Sequence, residues 1–231
     1  MRNIFLAGLI ILLASPVVNA GVVIGGTRVI YGGRQRSVAL SLRNNSDSPW
    51  LVKSRITPGG SWSGASVRPA LNPFIITPPL FVIKAGRESE IRVIKSAEKL
   101  PDDRESLFTL SVATIPSGKT DNNNVQIAIR SKLKLLYRPA RLKGVAAEAY
   151  KELHWYRSGN RLKVDNPTPY FVTLFDLQIN GRKIKNAGVV PPYSIRETSW
   201  CHRQAPQCHI TWKSINDYGG LTPTATAHIE N

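Results

Sequence analysis

The stretch from Asn123 to Pro139 constrains this chain most, because it alternates apolar and polar side chains along its whole length. Val125, Ile127, Ile129, Leu133, Leu135 and Tyr137 form an apolar row broken only by Ser131, while Gln126, Arg130, Lys132 and Lys134 form a polar one. Side chains of an extended chain point alternately to opposite faces, so this period of two predicts a strand with one apolar and one polar face. The run is about twice the usual strand length of about five to six residues. A strand this long either crosses a whole sandwich or offers part of itself to something else.

The chain begins with Arg2, an uncharged apolar run from Ile4 to Ala14, and Ser15 to Ala20 with a small residue at its end. This is the pattern of a secretory signal peptide over residues 1–20, cleaved after Ala20. The apolar run is too short to cross a bilayer, which takes about 18 residues or more, so the mature protein is expected to be exported and soluble. Removing Arg2 leaves 30 basic against 15 acidic residues, a net charge of +15. Such a balance favours anionic partners. Export argues against nucleic acid, and the basic residues are scattered along alternating strands with no aromatic strand pair for stacking bases. Cys201 and Cys208 are expected to form a disulfide in an oxidising compartment. A metal site is the alternative, because His202 and His209 each follow a cysteine, although the spacing matches no familiar zinc pattern.

From Gly21 onward, short alternating runs are separated by Gly, Pro, Asn and Asp. Val22 to Tyr31 reads as a first strand interrupted at Gly25-Gly26, as an edge or switching strand would be. About seven strands in about 120 residues indicate an antiparallel sandwich. A second all-β set of about 85 residues follows Pro139 to Ala147, and no stretch sustains a helical apolar period. The fold class is therefore all-β, two sandwiches in tandem. The expected division is 21–140, a linker over 141–147, and 148–231.

Catalytic constellations are missing. Gly60-Ser61-Trp62-Ser63-Gly64 has Trp62 where a nucleophile elbow needs serine. Phosphate loops, dinucleotide fingerprints and HExxH helices do not occur. His154, His202, His209 and His228 show no ligand spacing, and Asp102-Asp103 reads as a solvated turn. No enzymatic activity, metal, cofactor or small-molecule substrate is expected.

Leu100-Pro101-Asp102-Asp103-Arg104-Glu105-Ser106-Leu107-Phe108, closed by Ile115-Pro116, resembles the signature of the periplasmic pilus chaperones of the chaperone–usher pathway. Thr27 to Tyr31, Thr77-Pro78-Pro79, Lys134 to Pro139, Asn166 to Tyr170 and Ile215 to Gly219 agree with it, so the likeness runs through the mature chain. It is strongest to the chaperones of type 1 pili. Ser111 and Arg130 depart from the pattern, but Ser111 sits mid-strand and Arg130 lies on the polar face, away from the apolar row. The short loop Pro116 to Asn124 resembles that of the short-loop subgroup, which serves thick or tipped pili.

The resemblance implies two immunoglobulin-like β-sandwich domains meeting in a boomerang. Arg28 and Lys134 would bind the C-terminal carboxylate of a pilus subunit in the cleft between them. Val125, Ile127 and Ile129 would be lent to the subunit as a donor strand, in a register that the anchored carboxylate fixes; strand addition between chaperone and pilin is an established recognition mode. Glu105, Arg138 and Asp217 would form a charge cluster bridging the domains. The implied function is to bind, fold and cap pilus subunits in one-to-one complexes and deliver them to an outer-membrane usher. The alternative is an exported structural or adhesive two-domain protein. An empty apolar row is an aggregation hazard, so transient self-capping as a dimer is a further expectation.

Overall fold

A computed structural model describes residues 21–60, 62–64, 71–117, 126–201 and 207–230. The signal peptide, Val125 and His202 lie outside them. The first half of the chain forms β1 (Val22–Ile24), β2 (Arg28–Gly32), β3 (Ser37–Asn44), β4 (Trp50–Pro58), β5 (Phe74–Thr77), β6 (Leu80–Ile83), β7 (Glu88–Lys95), β8 (Ser106–Pro116) and β9 (Ile129–Arg138). They make a four-stranded sheet ordered β1-β3-β7-β5 and a five-stranded sheet ordered β2-β9-β8-β4-β6. Alternate residues of both sheets, among them Leu42, Val52, Ile91, Phe108, Leu110 and Leu135, are buried between them in one core.

The chain changes sheets where the sequence is interrupted at Gly25-Gly26. β1 pairs with β3 in the first sheet, and β2 then runs parallel to β9 in the second. All other strand pairs among the described residues are antiparallel, so this parallel ladder departs from the expected antiparallel sandwich. It follows from geometry: a strand that crosses between sheets without reversing arrives beside β9 in the same direction.

The second half comprises a 3-10 turn (Ala149–Glu152), β10 (His154–Ser158), β11 (Arg161–Asn166), β12 (Val172–Ile179), β13 (Arg182–Lys183), β14 (Gly188–Val190), β15 (Ser194–Thr198), β16 (Gln207–Lys213) and β17 (Ala225–Glu230). Strands β10-β11-β15 form one sheet; β13-β12-β16-β17 form the other, with β14 added on β12. Trp155, Leu162, Val164, Leu177, Ile210 and Trp212 lie in this core, together with both cysteines, which are joined in a disulfide with Cα atoms 6.3 Å apart. The disulfide removes the cysteines from metal ligation.

Each sandwich buries one asparagine completely. Asn44 Nδ2 donates to the carbonyls of Ser48, Ile83 and Lys84, and Asn166 Nδ2 to those of Tyr170, Val190 and Pro191. A buried amide is tolerated because its donors are satisfied, and each ties three separate backbone positions together.

Regular pairing in β9 begins at Ile129, not at Val125. The ladder with β8 ends at Thr114↔Ile129, and Gln126 to Ala128 lie outside any strand. The alternation in the sequence continues, but a strand also needs a neighbour, and β8 supplies none beyond that pair.

Candidate functional site

The parallel ladder sets Arg28 directly beside Lys134. Val29, Tyr31, Leu133 and Leu135 point into the first core. Alternation therefore turns Arg28, Ile30, Lys134 and Leu136 to the opposite face, toward the second sandwich. There Leu107, Leu136 and Val189 form a small buried cluster flanked by Ile30, Trp62 and Phe171. Three buried residues make a modest joint, and polar contacts do the rest.

Arg28 reaches across it. Its Nη1 donates to the Ile215 carbonyl at 2.7 Å, while its Nε is buried and has no partner among the described residues. Burial lowers its pKa, opposed by Asp217 and Glu105. The Lys134 ammonium lies 4.2 Å from the centre of the Trp62 ring. Burial first, and the neighbouring Arg28 second, pull its pKa down to about 8. Two cations are thus held together at a partly buried place, where each raises the cost of the other. An anion bound between them would relieve that cost.

Trp62 was not singled out by the sequence as a site residue. Its Nε1 donates to Thr109 Oγ1 at 3.0 Å, and that hydroxyl donates to the Gly59 carbonyl at 2.6 Å. Thr109 is the cross-strand partner of Lys134, so the indole is fixed to the strand neighbouring the lysine. Next to it, the Ser63 carbonyl accepts from the Val189 N–H of the second sandwich at 2.8 Å, and Arg196 Nη2 donates to Ser63 Oγ at 3.0 Å. This approach requires glycine at 188, where φ is +81° and a Cβ would stand 2.0 Å from the Ser63 carbonyl oxygen. The one signal in the sequence was a lone large aromatic in a Gly/Ser-rich loop. A cleft of about 540 Å³ opens here, lined by Trp62, Ser63 and Lys134 on one side and by Phe175, Lys183 and Lys185 on the other.

Beyond Lys134, one edge of β9 is open. β2 covers residues 134–138, whereas Ile129 to Leu133 pair only with β8 among the described residues. Ile127 is 67% exposed and Ile129 56%. An unpaired backbone edge carrying exposed apolar side chains is a template for another strand, and the two cations stand at its inner end.

Glu105, Arg138 and Asp217 meet at the joint. Arg138 Nε donates to Glu105 at 2.7 Å, and its Nη1 and Nη2 donate to the two carboxylate oxygens of Asp217 at 2.6 and 2.8 Å. The second Glu105 oxygen accepts from the Phe171 N–H at 2.8 Å, and the Glu105 N–H donates to the Pro169 carbonyl at 2.9 Å. A guanidinium fork fits two carboxylates in one plane. Burial works to lower the Arg138 pKa, but its bonds to Asp217 and Glu105 outweigh this and raise it.

Among the described residues there is no group of three or more His, Cys, Asp or Glu side chains placed to hold a metal, and no helix is long and apolar enough to cross a membrane.

Two facing sandwiches thus carry a cationic pair at the inner end of an open, apolar strand edge. Residues 21–143 match the family model of the N-terminal domain of PapD, the pili and flagellar-assembly chaperone, and residues 148–226 match that of the PapD C-terminal domain. The uncharacterized fimbrial chaperone YcbF of Escherichia coli K12 is 43% identical over 212 residues, covering 91% of this chain and 89% of that one. The chaperone protein FimC of the same strain is 38% identical, with 97% and 92% covered. Among solved structures, the Salmonella enterica SafA pilin in complex with the SafB chaperone matches with a TM-score of 0.74 at 28% identity, over 92% of this chain and 98% of that one. The chain belongs to the family of pilus-assembly chaperones.

Proposed function

We propose that this chain captures a pilus subunit in its cleft by anchoring the subunit's C-terminal carboxylate between Arg28 and Lys134. The observation that carries this reading is the pairing of those two cations at the inner end of the open β9 edge. Arg28 Nε and the Lys134 ammonium have donors to spare, and charge-assisted hydrogen bonds to a carboxylate are stronger than neutral ones. From that fixed point the subunit's last strand runs outward along Ile129 to Leu133 and fills the backbone groups that β2 leaves open.

Ile127 and Ile129, with Val125 ahead of them, then enter the subunit as the strand it lacks. Burying a side chain of this size contributes about 1.5–3 kcal/mol. The anchored carboxylate decides which residues face inward, because a slip of one position would turn every apolar side chain outward. The Glu105–Arg138–Asp217 bridge sets the angle at which the second sandwich closes the cleft. The loaded chaperone hands its subunit to an outer-membrane usher, working in the periplasm after removal of residues 1–20. On this reading residues 21–140 form the strand-donating domain, 141–147 the linker, and 148–231 the second wall of the cleft.

The test is co-expression in the periplasm with the cognate pilins, followed by purification of the one-to-one complex. Arg28→Ala and Lys134→Ala are each expected to abolish it while leaving the chaperone folded. An intact complex in both variants would overturn the anchor.

A further inference from the structure

The histidines are scattered in sequence, but two of them meet on the outer face of the second sandwich. His209 on β16 and His228 on β17 are direct cross-strand partners. Their exposed rings are 4.4 Å apart, with the two Nδ1 atoms separated by 3.1 Å. We propose that His209 and His228 form a bidentate site for a divalent transition-metal ion of the copper, nickel and zinc class.

The separation suits one ion. Two nitrogens each bound at about 2.0–2.1 Å lie about 2.9 Å apart at a right angle and about 3.3 Å apart at the tetrahedral angle. The observed distance falls between them, so the rings need only small rotations about their broad terminal torsions to aim both lone pairs at the same point. In the metal-free protein this contact is a hydrogen bond when one of the two Nδ1 atoms carries a proton. To bind the ion, both imidazoles present a bare Nδ1 and carry their proton on Nε2.

The backbone beneath is fixed in advance. Asn180 N donates to the His209 carbonyl at 2.8 Å, the His209 N–H donates to Asn180 Oδ1 at 2.7 Å, and Asn180 Nδ2 donates to the Gln207 carbonyl at 3.0 Å. The residues flanking each histidine turn inward: Cys208 and Ile210 are buried, and Ala227 and Ile229 pack against the core. The ladder from Gln207↔Glu230 to Trp212↔Ala225 holds the register. Two imidazoles and solvent complete a coordination sphere that binds Cu²⁺ more tightly than Ni²⁺ or Zn²⁺.

The test is equilibrium dialysis or calorimetry of the full mature protein against CuCl₂, NiCl₂ and ZnCl₂ at neutral pH. One Cu²⁺ per chain is expected, with affinity reduced at least tenfold in His209→Asn and again in His228→Asn, and unchanged in His154→Asn. The electron paramagnetic resonance spectrum of the Cu²⁺ complex should report two imidazole nitrogens in the parent and one in each single variant. Binding that persists unchanged in His209→Asn/His228→Asn, or no binding by the parent protein, would overturn the proposal.

Discussion

Lys134 has two opposed demands placed on it. Burial and Arg28 hold its pKa near 8, below its ordinary value of 10.5, so the free chaperone suffers for carrying the charge while the proposed carboxylate anchor needs it. The consequences differ in sign. Between about pH 8 and 10.5 the unfolded chain binds more protons at this position than the folded one, so the burial cost is fully present below pH 8 and fades as pH rises through that window. The free protein should therefore gain stability from this residue on going alkaline. Affinity for a pilin should move the other way. Above pH 8 the fraction of chaperone with a charged Lys134 falls about tenfold per pH unit, and the apparent Kd for a pilin rises by about the same factor. Calorimetric titration with a peptide spanning the last strand of a pilin, from pH 7 to 9.5, checks this. Lys134→Met should bind weakly with no such slope, and a flat profile in the parent protein would sink the reading.

At the scale of elements, β9 is divided by what lies beside it. From Lys134 to Tyr137 it has a neighbour on both edges; from Ile129 to Leu133 it has one among the described residues. Substitutions on the two parts should separate cleanly. Leu135 is fully buried, and Leu135→Ala should cost about 2–5 kcal/mol of stability, read as a lower urea midpoint. Ile127→Asp should leave the midpoint in place and weaken pilin binding by at least about tenfold, from the loss of one buried side chain; a collapsed fold in that variant would mean that the row belongs to the protein's own core. The apolar row, the sheet switch at Gly25-Gly26 and the two cations proposed as the anchor were all legible as alternation and motif. The parallel pairing that sets Arg28 beside Lys134 was not, because a period of two is the same in parallel and antiparallel ladders. Nor was the start of β9, which depends on where β8 stops pairing. Trp62 belongs to a loop with no period, and its seat over Lys134 exists only once that loop folds back onto Thr109. His209 and His228 become neighbours only through the register of β16 and β17.

At the scale of the molecule, the two sandwiches share a small apolar contact, so their relative angle rests heavily on polar groups. Joints of this size allow domain motion unless something specific opposes it. Arg138 is the specific element here, since it bonds Glu105 on one side and Asp217 on the other. Asp217 is partly exposed and worth little alone, whereas Glu105 is buried, and stripping its cationic partner would leave its charge only the Phe171 N–H, at a cost of about 3 kcal/mol. Arg138→Ala should therefore loosen the joint while both cores stay intact. Small-angle scattering should show a broader distribution of interatomic distances, and pilin affinity should fall several-fold as the wall carrying Phe175 and Lys185 drifts from the anchor. Amide exchange at Leu42, Ile91, Val164 and Ile210, which lie deep in the two cores, should not change. Arg138→Lys should rescue little, because one ammonium cannot present the fork that bonds both carboxylates. Unchanged scattering in Arg138→Ala would instead assign the angle to Leu107, Leu136 and Val189, and Val189→Ala would then become the variant that opens the cleft.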